Sequence, residues 1–405
     1  MHSPYVALRR LSITLFAGAV AASLFVSGSP ARAQGPGVNL AQLVATVNAL
    51  QSQVQSLQTT VSSQQATINN QAAQIAALQK VTSPMTLTGA PGTYPATLTI
   101  AGVNVQIVNG LGATDGNPAD PLDVNNDAIV DGLGNLIIGY NLPRADLGET
   151  DVRTGSHDLI LGDLNNYSSF GGMVGGQHDT ISGTYGSVVG GFEDVASGPL
   201  STVLGGQVNT ASGYASAVSG GTSGTASGEV SAVSGGYGNT ASGEGSAASG
   251  GYYNSATDEM DSISGGQFNK ASSFASSVSG GSNNTSDSYS SSVAGGSLNT
   301  ASGLYSVVSG GQAGVASGEL SAIFGGSNNI ASALVSTATG GYFDTASAQA
   351  AWVGGGLHNV ANASWSSVTG GNTNTASAGA SSVSGGSNVT ENDQFGWAGG
   401  GLHSP

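Results

Sequence analysis

The chain of 405 residues contains no cysteine, so no disulfide can staple it, and its stability must come from repetition, from association of chains, or from both. Charged residues are also scarce, at 7% of the sequence, which is far from the composition of an ordinary soluble domain. Basic residues are scarcest: 7 Lys plus Arg stand against 23 Asp plus Glu, for a formal charge of −16. That balance excludes nucleic acid as an expected partner. The longest apolar run, Ile13 to Val26, is shorter than the roughly 20 residues that span a bilayer, so no transmembrane segment is expected in the mature chain. No Ser-His-Asp arrangement, phosphate loop or metal constellation emerges from the sequence, and the chain is expected not to be an enzyme.

What is present begins with a secretory pattern. Arg9 and Arg10 form a positive n-region, Ile13 to Val26 an apolar h-region, and Ala31-Arg32-Ala33 a cleavage site. Residues 1–33 therefore read as the signal peptide of an exported, extracellular or cell-surface protein of bacterial type. Both the general secretory and the twin-arginine routes fit the arginine pair.

Residues 34–80 read as a coiled-coil oligomerisation stalk. Leu40, Val47, Val54, Val61, Ile68 and Ile75 fall at the a positions of a heptad, with Leu43, Leu50, Leu57 and Leu78 at d. Gln64 and Gln71 occupy the other two d positions, where a buried amide needs a partner and so helps to specify register and strand number. Branched residues at a with Leu at d favour a dimer when taken alone, so the seam leaves dimer and trimer open. Only Lys80 brings a charge, and the absence of ion-pairing positions favours identical chains.

Residues 81–171 read as an irregular β transition and N-terminal cap. Thr97 to Val108 alternates as one or two short strands, and Leu136-Ile137-Ile138 and Leu159-Ile160-Leu161 look like first coils of a stack. Arg144, Asp146, Glu149, Asp151, Arg153 and His157 form the densest charge cluster and read as a solvated loop. Asp123, Asn125, Asp127 and Asp131 stand at positions 1, 3, 5 and 9 of a calcium-type loop. Ala128 replaces its turn glycine, however, and Gly134 its bidentate acid. A calcium site and a plain acidic turn are the two readings. No other cofactor is expected.

From residue 172 to 405 a Gly-Gly doublet recurs every 15 residues, from Gly175 through Gly400, without insertion or deletion. Such regularity demands stacked coils, and the fold class is an all-β parallel β-solenoid preceded by an α-helical coiled coil. Two residues before each doublet stands an apolar residue, beginning with Met173. The core row is Val188, Val203, Val218, Val233, Ile263, Val278, Val293, Val308 and Ile323. Six residues after the first Gly comes nearly always Ala, as at Ala211 and Ala241, and four after it commonly Asn, as at Asn239 and Asn254. The Asn suits both a turn and a hydrogen-bonded ladder. Glycines are expected to turn the chain. One Val and one Ala per coil make a thin core, so each rod is expected to need neighbours.

Ser231-Ala232-Val233-Ser234-Gly235 followed by Asn239-Thr240-Ala241-Ser242-Gly243 resembles the head repeats of YadA-like trimeric autotransporter adhesins, over about residues 160–405. The resemblance implies β-rolls packed as a homotrimer, held by a coiled coil, that attach to matrix, glycans or other cells. The family's repeat is usually a residue shorter, its main stalk follows the head, and its C-terminal barrel anchor has no counterpart here. Attachment is therefore expected to be N-terminal or indirect. A different reading comes from the outward Thr-x-Ser rows Thr210-Ala211-Ser212, Thr225-Ala226-Ser227 and Thr240-Ala241-Ser242. Regular hydroxyls of this kind suit an ice-binding, antifreeze-type solenoid.

Overall fold

The computed structural model describes residues 39–89, 97–120, 130–400 and 402–403. The signal-peptide segment and Asp123, Asn125 and Asp127 of the calcium-type loop lie outside the described residues. The chain divides into two units, Met1–Asn104 and Val105–Pro405.

The first unit holds helix α1, Leu40–Thr82. No Gly or Pro interrupts these 43 residues, and at about 1.5 Å per residue the helix is about 65 Å long. Asn39 caps it, its side chain accepting the Ala41 N–H at 3.1 Å, and Pro84 prevents its continuation. Thr46, Ser52, Thr59, Ser62 and Thr67 donate to the carbonyls four residues back, satisfying hydroxyls that would otherwise compete with the helix. No residue of α1 is buried. Strands β1 (Met85–Thr88) and β2 (Thr97–Ile100) then form an antiparallel hairpin.

The second unit is a parallel β-solenoid of about 16 turns. Each turn gives one two-residue strand to each of two ladders. In the valine sheet, β3 (Leu136–Ile138) pairs with β4 (Leu159–Leu161). The ladder then runs from Met173–Val174 to Trp397–Gly399, where Leu402–His403 folds back antiparallel. The alanine sheet has 16 strands, from Asn166–Tyr167 to Thr390–Glu391. The step of 15 holds along the repeat, as in Thr202↔Ala217↔Ala232. The first coils are shorter: Leu159 pairs with Met173 and Met173 with Ser187, steps of 14. This corrects the expected place of Met173. It is half-buried, and Val174 points inward instead, because the stretch from Val174 to Gly176 is one residue shorter than that from Val188 to Gly191.

Four side chains per coil face the interior, two of them polar. Val188, Val203, Val218, Val233, Ile263, Val278, Val293, Val308 and Ile323 are buried, as are the alanines from Ala196 to Ala376. Beside them lie a row of Asn four residues after the first Gly and a row of Ser eleven after it, such as Asn254 and Ser231. Each Asn is satisfied threefold. Asn254 Nδ2 donates to the Gly250 carbonyl at 2.8 Å and to the Gly266 carbonyl of the next coil at 3.0 Å, while its Oδ1 accepts the Asn269 N–H at 3.0 Å. One amide thus joins its own coil to the next.

The chain reverses at two places per coil. Gly251 has φ +91°, and a Cβ there would collide with the Gly266 carbonyl. Most of the other left-handed residues are not glycine: Val208, Val230, Phe268 and Leu320 have φ of 58°, 54°, 54° and 56°, each costing about 1–2 kcal/mol. The stack holds them, since Val208 N–H donates back to the Phe192 carbonyl at 2.9 Å and Val230 N–H to Tyr214 at 2.8 Å.

Asn269→Ala would orphan the Asn284 N–H and lose the amide bonds to Gly265 and Gly281. It is expected to lower stability by about 1–3 kcal/mol. Val230→Gly, which relieves a left-handed valine, is expected to raise it by up to about 1 kcal/mol. Both are read from the midpoint of chemical denaturation.

Candidate functional site

Because the interior is filled by four small side chains per coil, chemistry available to a partner lies on two strand faces and two turn edges. On the alanine sheet, Thr210, Thr225 and Thr240 are half-buried and Ser212, Ser227 and Ser242 exposed, all pointing outward at coil spacing. Val195, Lys270, Val315, Ile330 and Val360 interrupt the Thr row. The valine sheet's outer face is mostly Ser, Thr and Ala, with exposed Val189, Leu204, Phe324 and Trp352.

The edge that follows the glycine doublets carries no charged turn residue from Gln207 to Phe343, and its aromatic rings fall in two groups, Tyr237 to Phe268 and Tyr342-Phe343. Tyr237 stacks on Tyr252 with ring centroids 5.2 Å apart, and Tyr253 on Phe268 at 5.7 Å. Farther along, Phe343 stacks on His358 at 5.0 Å. Stacking at this separation follows from the rise of one coil, which brings rings at equivalent positions into offset contact. The opposite edge carries the acids. Glu229, Glu244 and Glu259 occupy equivalent places on three successive coils, and Glu319 follows. Sequence reasoning named the aromatics but could not place Glu229, Glu244, Glu259 and Glu319 together on the other edge, which requires knowing where each turn lies.

Part of the N-terminal charge cluster is built into the fold, whereas Glu149 and Asp151 stay exposed as a solvated loop requires. Arg144 is buried. Its Nε donates to the Leu164 carbonyl at 2.6 Å, and its Nη2 to the carbonyls of His178 and Asp179 at 2.6 and 2.7 Å and to Thr180 Oγ1 at 3.0 Å. Burial lowers its pKa, and Glu149, Asp179 and Asp151 oppose that shift. Arg153 pairs with Asp151 at 3.0 Å, and Glu149 meets His178 Nε2 at 2.6 Å.

His157 lines a cavity of about 310 Å³ with Gln106, Asn109 and Thr114. Both its ring nitrogens are engaged, Nδ1 with the Thr114 carbonyl at 2.9 Å and Nε2 with the Asn109 N–H at 3.2 Å. These bonds make the imidazole a strap for residues 109–114. Of the calcium-type residues only Asp131 is described. Its Oδ1 accepts from Leu133 N–H at 3.0 Å, Ser156 Oγ at 2.9 Å and Asn109 Nδ2 at 3.3 Å. Desolvation pushes this carboxyl up, but the three hydrogen bonds outweigh it and hold it below its ordinary value. Among the described residues, no group of three or more His, Asp or Glu is placed to hold a metal ion. No described helix is long and apolar enough to cross a membrane.

The buried acids depart most from ordinary behaviour. Asp179 and Asp194 take the Asn position in the ladder. Each Oδ1 accepts the next coil's N–H, at 2.8 Å from Asp194 and 2.7 Å from Asn209. Each Oδ2 is buried without a partner, near the glycine backbone that an Asn Nδ2 would serve. Burial raises the Asp179 carboxyl to about 7, reinforced by Asp194 and opposed by the Asp194 N–H and Arg144. Burial likewise raises Asp158 to about 7, against the Gly172 N–H, and raises Asp194 and Asp344. A proton on Oδ2 supplies the donor that the Asn amide provides elsewhere.

No protein-family model matches the chain, and no curated protein matches it in sequence.

Asp158 and Asp179 bind protons more tightly in the folded chain than at the ordinary value of 3.8. Their contribution to stability is therefore full at and below about pH 4 and is lost as pH rises through about 7. The thermal midpoint is expected to fall across that window. In Asp179→Asn, whose amide supplies the missing donor without a proton, the fall is expected to be shallower and the midpoint at pH 8 higher than in the parent.

Proposed function

We propose that the chain is an exported, cell-surface structural protein without catalytic activity, which self-associates through α1 and presents its solenoid as an adhesive rod. The observation that carries this reading is the exposed seam of α1. Leu43, Leu57 and Ile68 are 50%, 64% and 55% exposed, as are the other apolar a and d residues, along a helix that no part of its own unit covers. Covering apolar surface contributes about 25 cal/mol per Å², and the uncharged heptad gives identical chains nothing to repel. The resemblance to YadA-like head repeats makes the assembly a homotrimer with Gln64 and Gln71 as buried register positions. The first solenoid coils, with their steps of 14, have the shorter repeat usual in that family.

Within this reading the uncharged aromatic edge and the hydroxyl-bearing faces are the surfaces for contact with matrix, glycans or other cells. Tyrosine with Ser, Asn and Gln gives adaptable contact at low entropic cost. The acids on the opposite edge keep a protein of charge −16 soluble. A second reading, ice binding, is favoured by one observation: the Thr and Ser rows lie side by side on one parallel sheet, at the spacing of the coils. A thermal-hysteresis assay decides it.

Light scattering is expected to give a trimer for the mature chain, and Leu50→Asp with Leu57→Asp to give monomers that keep the solenoid's circular dichroism. The trimer is expected to bind surface, glycan or matrix arrays. A monomeric parent that binds none of them refutes the proposal.

A further inference from the structure

The hairpin after α1 has two chemically different faces. Its register pairs Met85 with Ile100, Thr86 with Thr99, Leu87 with Leu98, and Thr88 with Thr97. Directly opposed residues share a face and successive residues alternate. Met85, Leu87, Leu98 and Ile100 therefore form one wholly apolar face, and the four threonines form the other. All four apolar side chains are exposed, at 45%, 52%, 59% and 39%. An isolated two-stranded hairpin is marginal in water, and one with a bare apolar face has the more reason to be covered.

We infer that this apolar face is a second self-association surface, covered by the same hairpin of other copies of the chain. The inference rests on the proposed association through α1 and extends it. Three observations select a copy of this chain as the occupant. The hairpin begins three residues after the last residue of α1, so chains joined along the heptad seam deliver their hairpins to one place. The Ala101 N–H donates to the Pro84 carbonyl at 2.9 Å, which extends the hairpin's ladder back to the second residue after α1 and leaves little free chain between the seam and the face. Finally, Lys80 is the only charged residue between Leu40 and Thr114. The acids that would repel a like-charged copy are all elsewhere. A partner attracted by charge would find nothing here to recognise, whereas an identical hairpin offers four apolar side chains of matching size.

The chain has no cysteine, so single-cysteine variants of the full protein report on contact directly. Leu57→Cys in the helix seam, Leu98→Cys on the apolar face and Thr99→Cys on the threonine face are each subjected to mild oxidation and run on a non-reducing gel. The inference requires covalent dimers from Leu57→Cys and Leu98→Cys, with Leu98→Cys at least several-fold above Thr99→Cys. If Leu57→Cys cross-links while Leu98→Cys does not, or does so no better than Thr99→Cys, the hairpin surface is wrong and association through α1 stands. If neither Leu57→Cys nor Leu98→Cys cross-links, both readings fall.

Discussion

The solenoid depends on one repeated hydrogen-bonding unit, the buried side-chain amide four residues into each coil. A coil whose apolar interior is one Val and one Ala has little hydrophobic free energy to set against the ordering of 15 residues. Its tight turns leave glycine carbonyls inside, where an unmet acceptor costs about 1–3 kcal/mol. The Asn amide removes that cost for two carbonyls and one N–H at a time, as Asn284 does with Gly280, Gly296 and Asn299. Its reach sets the approach of successive coils. That approach in turn leaves no room for a Cβ at Gly251 or Gly266, so the glycine row follows from the amide row. The ladder lapses at Gly224 and Gly314, which accept nothing through a side chain but still donate their N–H groups to Asn209 and Asn299 at 2.9 Å.

The same constraint explains the strain and the charge found inside. Bulky residues in left-handed turns persist because each N–H is held by the previous coil, so the cost is distributed along the stack. Asp in the Asn position keeps the acceptor half of the amide and lacks the donor half, and burial there raises the carboxyl above its ordinary value. The first and last turns of the described stack are closed differently. Arg144 donates to the carbonyls left open at the first turns. At the last, Val389 replaces the ladder Asn, and buried Glu391 accepts the Asp393 N–H at 3.0 Å. Such closures keep a sheet end from pairing with another chain.

Function, in this reading, is a matter of which surfaces are left over. In the repeat coils the interior is filled by four small side chains each, and near the N-terminus Arg144, Arg153 and Asp131 are engaged in hydrogen bonds within the first coils. What remains is a stack with one edge that is uncharged from Gln207 to Phe343 and bears the aromatic rings, and one edge that bears Glu229, Glu244, Glu259 and Glu319, together with a helix and a hairpin whose apolar faces are bare. An asymmetric distribution of this kind suits an assembly of like chains, because the neutral segments can meet while the acids stay in water.

Much of this was legible in the residues themselves. An uninterrupted 15-residue period, with Val, Ala and Asn at set places, allows only stacked coils, and an uninterrupted heptad without Gly or Pro allows a long helix. Both are patterns of local spacing, which sequence carries directly. What the tertiary structure alone decided concerns contacts between coils. That Met173 yields its inward place to Val174, that Ser shares the interior with Val, and that Arg144 is a cap are consequences of how one turn lies on the next. So are the raised carboxyls of Asp158 and Asp179. Turn positions could not be read from glycine alone, because the left-handed conformation at Val208 or Phe268 is held by the hydrogen bond its own N–H donates to a carbonyl one coil away. The spacing of residues determined that coils would stack. Only the stacked backbone, by fixing which N–H meets which carbonyl, decided what each side chain in a coil must do.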